Sequence, residues 1–256
     1  MFKYTQNLKV IIQVLKRFLK SRALGFIFIR TKGFTPPIEL TLNRKKCELF
    51  LPLNGTYAEL FRDILLDDEY FLSKLPISKI QNIADVGANL GIFAIAARIQ
   101  FPTSIIHSYE PNNENLKYLN SNGHSFNFSV YNEAVSLLEG RGCLRRSSSH
   151  DTAAHLEVKQ NGEIIISNLQ KIINRFPNKK IDLLKLDCEG SEFEILKDFK
   201  ELKRVQYLVM EYHLPAIKSA EQFENLMQLL RDNKFEVLSH FNRNICLGVI
   251  LAKNVS

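Results

Sequence analysis

A turn with glycine at two positions joins an apolar stretch to a helical one. Residues 85–91 read DVGANLG, and the residues on either side predict a strand before the turn and a helix after it. Glycine permits a sharp turn and lets a ligand approach the backbone without a Cβ in the way, and the start of the following helix offers unpaired N–H groups. The spacing Gly87-x-Asn89-x-Gly91 departs from the G-x-G-x-x-G pattern of pyrophosphate sites. The turn therefore predicts a nucleotide-like cofactor that carries no pyrophosphate.

Two further positions favour S-adenosylmethionine as that cofactor, since it has no phosphate but carries an ammonium at its amino-acid end. Asp85, at the end of the predicted strand, can face this ammonium. Glu110 follows Gly87 by 23 positions and ends the next predicted strand, where an acidic residue can accept hydrogen bonds from both ribose hydroxyls. The adenine is expected near Asn132–Val135, which makes Ala134 a further candidate contact.

A second polar cluster follows a later apolar strand. Residues 187–192 read DCEGSE, and Glu211-Tyr212-His213 ends the next strand, so both groups are expected to flank one crevice at the carboxyl edge of the sheet. Methyl transfer to an alcohol requires alignment of the reacting atoms and removal of the hydroxyl proton. His213 is the preferred general base because of its intrinsic pKa, and Asp187 and Glu189 are alternatives, as bases or as groups that orient the hydroxyl. These side chains could also hold a divalent metal, although none is expected.

Strands and helices alternate from residue 80 onward, which predicts βαβ units and a parallel sheet. Strands are expected at residues 80–86, 104–109, 128–135, 181–186, 205–211, 235–241 and 245–252. The last two lie so close together that they must pair as an antiparallel hairpin, and residues 136–167 are expected to form a β-rich insertion. The predicted fold class is therefore α/β, with a doubly wound, mostly parallel seven-stranded sheet that ends in a hairpin.

The chain before this main domain, which is expected to cover residues 80–256, divides into two parts. Residues 33–79 are a lead-in or cap segment, and residues 1–32 are basic and amphipathic, with apolar residues at 11, 14, 15, 18 and 19 in helical spacing. A basic amphipathic helix can lie on an anionic bilayer. It can equally cap the main domain or pack on a partner.

The composition indicates the partners and location of the protein more than the reaction it catalyses. The formal net charge of +7 suits an anionic partner without choosing one. The four cysteines have no metal-ligand or redox spacing, which favours a reducing cytoplasm, with the inner face of the membrane as an alternative location. No apolar run reaches the roughly 18 residues of a membrane-spanning helix, and no secretory signal is expected. The oligomeric state is not indicated.

The polar motifs together resemble those of the FkbM family of methyltransferases. The resemblance covers residues 80–213 and the upstream Asn54–Tyr70 segment, and it depends on Asp85-Val86-Gly87-Ala88-Asn89-x-Gly91, Glu110-Pro111-Asn112, Ala134-Val135 with Glu139-Gly140, residues 185–192 and Glu211-Tyr212-His213. It implies a class I, Rossmann-like methyltransferase fold and O-methylation of a hydroxyl on a sugar, glycan or polyketide-like product. It also implies cofactor-binding roles at the matching positions, Asp85, Gly87, Asn89, Gly91 and Glu110. Cys188 stands where a β-branched residue is more usual, and residues 1–32 have no identified counterpart.

Three other functions compete with a small-molecule or glycan O-methyltransferase. The positive charge favours a nucleic-acid methyltransferase, but carboxylates in residues 187–192 would repel a phosphate backbone, so nucleic acid is not expected as a partner. A non-catalytic, membrane-associated protein that binds S-adenosylmethionine would use the basic amino-terminal helix. The retained cofactor-facing residues argue against it, and the wrong pyrophosphate loop argues against a nicotinamide oxidoreductase.

Overall fold

Seven strands form the central sheet of the computed structural model, which describes residues 2–30, 32–52, 56–146, 154–188, 192–214 and 219–256. Within these ranges the strands are β1 (Glu39–Leu42), β2 (Lys45–Glu48), β3 (Asn82–Val86), β4 (Ile105–Tyr109), β5 (Ser129–Tyr131), β6 (Glu133–Val135), β7 (Gly140–Arg146), β8 (Ala154–Val158), β9 (Ile164–Ser167), β10 (Ile181–Leu186), β11 (Val205–His213), β12 (Phe235–Asn242) and β13 (Leu247–Asn254). The helices are α1 (Phe2–Ala23), α2 (Thr56–Phe61), α3 (Ile92–Gln100), α4 (Asn113–Phe126), α5 (Leu169–Ile173), α6 (Glu192–Ile195), α7 (Phe199–Leu202) and α8 (Ser219–Asp232). A π-helical turn, Arg62–Leu66, continues α2, and 3₁₀ turns cover Leu72–Lys74 and Ile77–Lys79.

The central sheet has the strand order β12-β13-β11-β10-β3-β4-β5. The pairs among β3, β4, β5, β10 and β11 are parallel, and β12 and β13 add an antiparallel hairpin at one edge. The predicted Rossmann-like α/β fold with a mostly parallel seven-stranded sheet is therefore confirmed. From β3 the chain continues to β4 on one side, and β10 lies on the other side. Such a switch point is where open α/β sheets bind ligands.

Both faces of the sheet are covered, which explains why its inner strands read as continuous apolar runs. Successive side chains of a strand point to opposite faces. In β3 and β10, Ile83 and Leu183 accordingly join one apolar cluster, while Ala84 and Leu184 join the other. The sheet is thus held rigidly between two cores, and its carboxyl edge is a fixed platform for polar side chains.

The lead-in segment belongs to one of these cores. Phe61, Leu65 and Tyr70 are buried in the same cluster as Ile83 of β3. These residues of the lead-in segment therefore pack on the sheet and share its core, and the domain boundary predicted at residue 80 stays a prediction. Among the described helices, none has the length and apolar character needed to cross a membrane.

A second sheet, in the order β6-β9-β7-β8, forms the predicted β-rich insertion. It corrects one expectation, because the single strand predicted at residues 128–135 is two strands in two sheets. β5 pairs with β4 only as far as Tyr131 opposite Tyr109. β4 is followed by Pro111, which has no N–H to continue the ladder, and β6 turns away to pair with β9.

Candidate active site

The turn after β3 is pressed against the end of β10. The N–H groups of Gly87 and Ala88 both donate to the carbonyl of Tyr109, each at 3.0 Å, and Asp187 N donates to the carbonyl of Val86 at 3.1 Å. Gly87 has φ +73°, and a Cβ at this position would overlap the backbone carbonyl of Asp187. Only glycine therefore lets the turn lie this close to β10.

Backbone N–H groups hold the side chain of Glu110 beside the same turn. Its two carboxylate oxygens accept N–H hydrogen bonds from Asn89 at 2.8 Å and from Asn112 at 2.9 Å. Burial raises the pKa of Glu110, and these two hydrogen bonds oppose that effect. A carboxylate has about four lone-pair sites, so both oxygens keep acceptor capacity for a ligand.

A cavity of about 150 Å³ lies beside this turn. Five of the predicted site residues border it, namely Gly87, Asn89, Glu110, Ala134 and Asp187. The second sheet contributes Leu144 and Leu156 to its wall. The predicted cofactor end and one predicted catalytic carboxylate therefore face one space, and the insertion closes part of it.

Three predicted residues lie away from the cavity wall, and a fourth, Glu189, falls outside the described residues. Gly91 has φ +86° at the start of α3, and a Cβ there would lie 2.8 Å from Leu119 and 2.9 Å from Phe128. Its glycine is explained by packing. His213 and Asp85 belong to charged clusters behind the cavity. The ligand-binding roles predicted for these residues stay predictions.

Asp85 is fully buried, and its partner is Lys185 of β10. The Lys185 Nζ atom lies 3.2 Å from Asp85 Oδ1 and 3.5 Å from Asp187 Oδ2. It also donates to the carbonyl of Gly87 at 2.6 Å. Burial opposes the charge on Lys185, but Asp85 and Asp187 outweigh it and raise the pKa of this ammonium. Sequence reasoning missed this group, although a lysine inside an apolar strand signals a buried partner.

Asp187 links the cavity to a second cluster through Tyr70 of the lead-in segment. The Tyr70 hydroxyl lies 3.1 Å from Asp187 Oδ2 and 3.0 Å from Glu211 Oε2. Burial and the two carboxylates raise the pKa of Tyr70 well above its usual range, so the phenol keeps its proton. That single proton can bind only one of the two oxygens fully, and the arrangement is satisfied when Glu211 is itself protonated and donates to Tyr70.

Glu211 has the properties of a carboxyl group that holds such a proton. Burial, together with the charge of Asp187, raises its pKa to about 7, against the opposing effects of Arg243 and His213. Arg243 Nη1 lies 3.5 Å from Glu211 Oε1 and the same guanidinium binds Glu69. The sequence analysis named Glu211 only as a member of the second polar cluster and gave Tyr70 no role.

His213 lies at the outer side of this cluster. Its Nε2 is 3.7 Å from Glu211 Oε1, and its Nδ1 is 4.0 Å from Glu192 Oε1. Glu192 in turn accepts a hydrogen bond from Cys188 N at 2.7 Å. The imidazole thus borders Glu211, and of Asp187, Glu211 and His213 it is Asp187 that borders the cavity.

The donor set of a metal site is also present among the described residues. Asp187, Glu211 and His213 each place one potential ligand atom within 4.8 Å of the others. Two carboxylates and an imidazole suit a divalent cation. The cations of Lys185 and Arg243, however, already lie 3.5 Å from Asp187 and Glu211 respectively, and they neutralise part of the charge that a metal would need.

Curated relatives of this chain are distant. AMB antimetabolite synthetase AmbE of Pseudomonas aeruginosa is 23% identical over 81% of this chain, and methyltransferase 1 of Beauveria bassiana is 22% identical over 53%. The chain spans 12% of the synthetase and 64% of the methyltransferase. Among solved structures, Aeropyrum pernix fibrillarin in complex with natively bound S-adenosyl-L-methionine is similar with a TM-score of 0.48 at 14% identity, over 91% of this chain and 86% of that one.

The comparison with protein families matches a stretch that includes the residues at the carboxyl edge of the sheet. A model described as the methyltransferase FkbM domain matches residues 85–237, which is more than half of the 256 residues. The matched stretch contains the turn after β3, Glu110, the second sheet, Asp187 and Glu211. The predicted resemblance is confirmed, and the chain belongs to the FkbM methyltransferase family.

Proposed function

We propose that this methyltransferase uses S-adenosylmethionine and methylates a hydroxyl group of a sugar, a glycan or a related small molecule. The observation that carries the proposal is one cavity bordered both by Glu110 with the turn after β3 and by Asp187. A donor site and a proton acceptor then share one space. Transfer to a hydroxyl needs this proximity and a group that removes the proton.

The residues of the donor side fit S-adenosylmethionine. When bound, this cofactor supplies an electrophilic methyl group on a sulfonium, which passes to the acceptor oxygen and leaves S-adenosylhomocysteine. Glu110 would accept hydrogen bonds from the ribose hydroxyls. The apolar wall around Ala134, Leu144 and Leu156 would cover the adenine. Asp85 would have an indirect role. Its carboxylate holds Lys185 against the carbonyls of Val86 and Gly87 and so shapes the turn.

On the acceptor side, Asp187 would orient the hydroxyl and take its proton. Asp187 borders the cavity, and its side chain is 25% exposed, whereas Tyr70, Glu211 and His213 do not line the cavity. Tyr70 would fix the Asp187 carboxylate by donating to it, while a proton on Glu211 would remove one of the two neighbouring negative charges. His213 would be the next acceptor for the proton as it leaves Asp187.

A labelled-methyl experiment tests the proposal without knowledge of the acceptor. The protein is incubated with S-adenosylmethionine that carries a deuterated methyl group and with fractionated glycans, metabolites and RNA, and the products are analysed by mass spectrometry. We expect label on a hydroxyl oxygen in the glycan or metabolite fraction, and none with Asp187→Asn. Label on RNA or on a nitrogen would contradict the proposal. In a deletion strain the same compound should be unmethylated and therefore lighter by the mass of one methylene group.

A further inference from the structure

Helix α1 presents its apolar edge to solvent. Val10, Ile11, Val14, Leu15 and Leu19 are all exposed, with Ile11 at 62% and Leu19 at 59%. An amphipathic helix of a globular protein normally turns this edge to the core, and a contiguous exposed apolar patch marks an interaction surface. The edge continues beyond the helix, where Ile27 and Ile29 are exposed at 57% and 74%.

The flank of this apolar edge is bound to the domain through Arg17, which follows Val14 by three positions and so lies next to it on the helix. Arg17 donates through two nitrogens to the two oxygens of Asp67, each at 2.6 Å, and Gln13 donates to the same carboxylate at 3.2 Å. After the helix, Leu24 and Phe28 are buried at 5% and 2%. These contacts fix how α1 is attached to the domain, and they leave residues 10–16 exposed to solvent.

The charge of α1 identifies what can cover this edge. Its 22 residues contain six lysines and arginines and no acidic residue, which is six of the seven units of formal net charge of the whole chain. An apolar stripe with many basic residues fits the interface of an anionic bilayer, where apolar burial and attraction to lipid headgroups add together. A second copy of the same helix would oppose this charge with an identical one.

We propose that α1 and residues 27–29 bind the protein to the surface of an anionic membrane. The apolar edge would enter the headgroup region, while the Arg17–Asp67 pair would hold the domain in one orientation above it. The methyl acceptor would then be encountered at or near that surface. Membrane binding is independent of the proposed methyl transfer, and either can fail without the other.

Vesicle co-sedimentation tests the membrane surface. The full chain is mixed with vesicles of phosphatidylcholine alone or of phosphatidylcholine with phosphatidylglycerol, at low and high salt. We expect binding to the anionic vesicles that weakens with salt. The double variant I11S/L15S should bind at least about tenfold more weakly. The control Ile77→Ser changes a side chain of similar exposure, 60%, outside this surface and should bind like the wild type.

Three results would overturn the inference. The first is no binding to anionic vesicles at low salt, and the second is equal binding by the double variant. The third is sedimentation that reveals a dimer lost in I11S/L15S while vesicle binding is absent, because the edge would then be a contact between copies. Calorimetry with S-adenosylmethionine on each variant shows whether the domain is intact, and it separates a failure of this inference from a failure of the proposed function.

Discussion

The residues proposed to bind the methyl donor (the donor end) and those proposed to act on the acceptor (the acceptor end) are held in place in different ways. At the donor end, Gly87, Asn89 and Glu110 are held by backbone hydrogen bonds within one strand–turn–helix unit and the strand that follows it. At the acceptor end, Asp187 and Glu211 are held by side chains from remote parts of the chain. Tyr70 is 117 positions from Asp187 and 141 from Glu211. Apart from Lys185 of β10, which donates to the carbonyl of Gly87, the donor end is local and mainly backbone, and the acceptor end is assembled by the tertiary fold.

This difference indicates which substitutions each end can tolerate. Backbone hydrogen bonds tolerate changes of side chain, so the donor end depends on a few glycine, asparagine and acidic positions. The acceptor end depends on a network of buried charges, in which removal of one partner leaves another unsatisfied. Substitutions at the two ends should therefore separate into effects on cofactor affinity and effects on turnover.

The largest effect is expected at the acceptor end. Asp187→Asn should lower turnover by about 10³-fold, because it removes the group that accepts the hydroxyl proton, while cofactor affinity changes little. Turnover is followed by product formation and affinity by calorimetry. Glu194→Gln, at an exposed carboxylate paired with Lys197, is the matched control. If Asp187→Asn retains turnover, His213→Ala becomes the decisive variant.

The next largest effect tests the contact between the two ends. Gly87→Ala should lower the free energy of unfolding by about 3 kcal/mol, since the new Cβ adds a backbone overlap to an unfavourable φ. Gly33 has nearly the same φ, +75°, but nothing within 4 Å of an added Cβ. Gly33→Ala should therefore cost only about 1 kcal/mol. Equal losses in urea denaturation would show that the approach to Asp187 is not tight.

The donor end is tested by Glu110. Glu110→Ala should raise the dissociation constant of S-adenosylmethionine about 30-fold, because hydrogen bonds from the ribose to a charged group would be lost. Isothermal titration calorimetry gives the constant. Glu114→Ala, at an exposed carboxylate four positions later, should leave it unchanged. Unaltered affinity in Glu110→Ala would remove the ribose assignment.

A smaller effect concerns the pH dependence of stability. The folded-state pKa of Glu211 is about 7, above its ordinary value, so the folded state binds the extra proton between the two values. Stability should consequently fall as pH rises from about 5 to about 8, by on the order of 2 kcal/mol. Glu211→Gln should remove this part of the slope. Urea denaturation at several pH values, with identical slopes for wild type and variant, would contradict the assignment.

The smallest expected effect is that of divalent metal. Lys185 and Arg243 already face the carboxylates of the acceptor end, so Mn²⁺ should not bind there measurably. Electron paramagnetic resonance of free Mn²⁺ during a titration with the protein measures this. Saturable binding that disappears in Glu211→Gln would show that the acceptor end is a metal centre.

The positions of Gly87, Asn89 and Glu110 around one turn could be predicted from the sequence, whereas the contacts of Tyr70 with Asp187 and Glu211 could not, for the same physical reason. Gly87, Asn89 and Glu110 sit at fixed spacing around a strand and a turn, and periodicity locates both. Tyr70 lies in a segment whose sequence gives no sign that it contacts β10 and β11. The split at Asn132 also escaped prediction, because β5 and β6 are continuous in sequence and only the pairing of β4 and β9 separates them.

The position of Tyr70 in the chain has a consequence for the size of the working unit. The matched family region runs from residue 85 to residue 237, yet Tyr70 and Glu69 precede it and Arg243 follows it. A fragment cut to the family boundaries would keep Gly87, Asn89 and Glu110 and lose Tyr70 and Arg243, which both contact Glu211. We expect such a fragment, if it folds, to bind the cofactor without turnover, which would make the minimal catalyst longer than the stretch that defines its family.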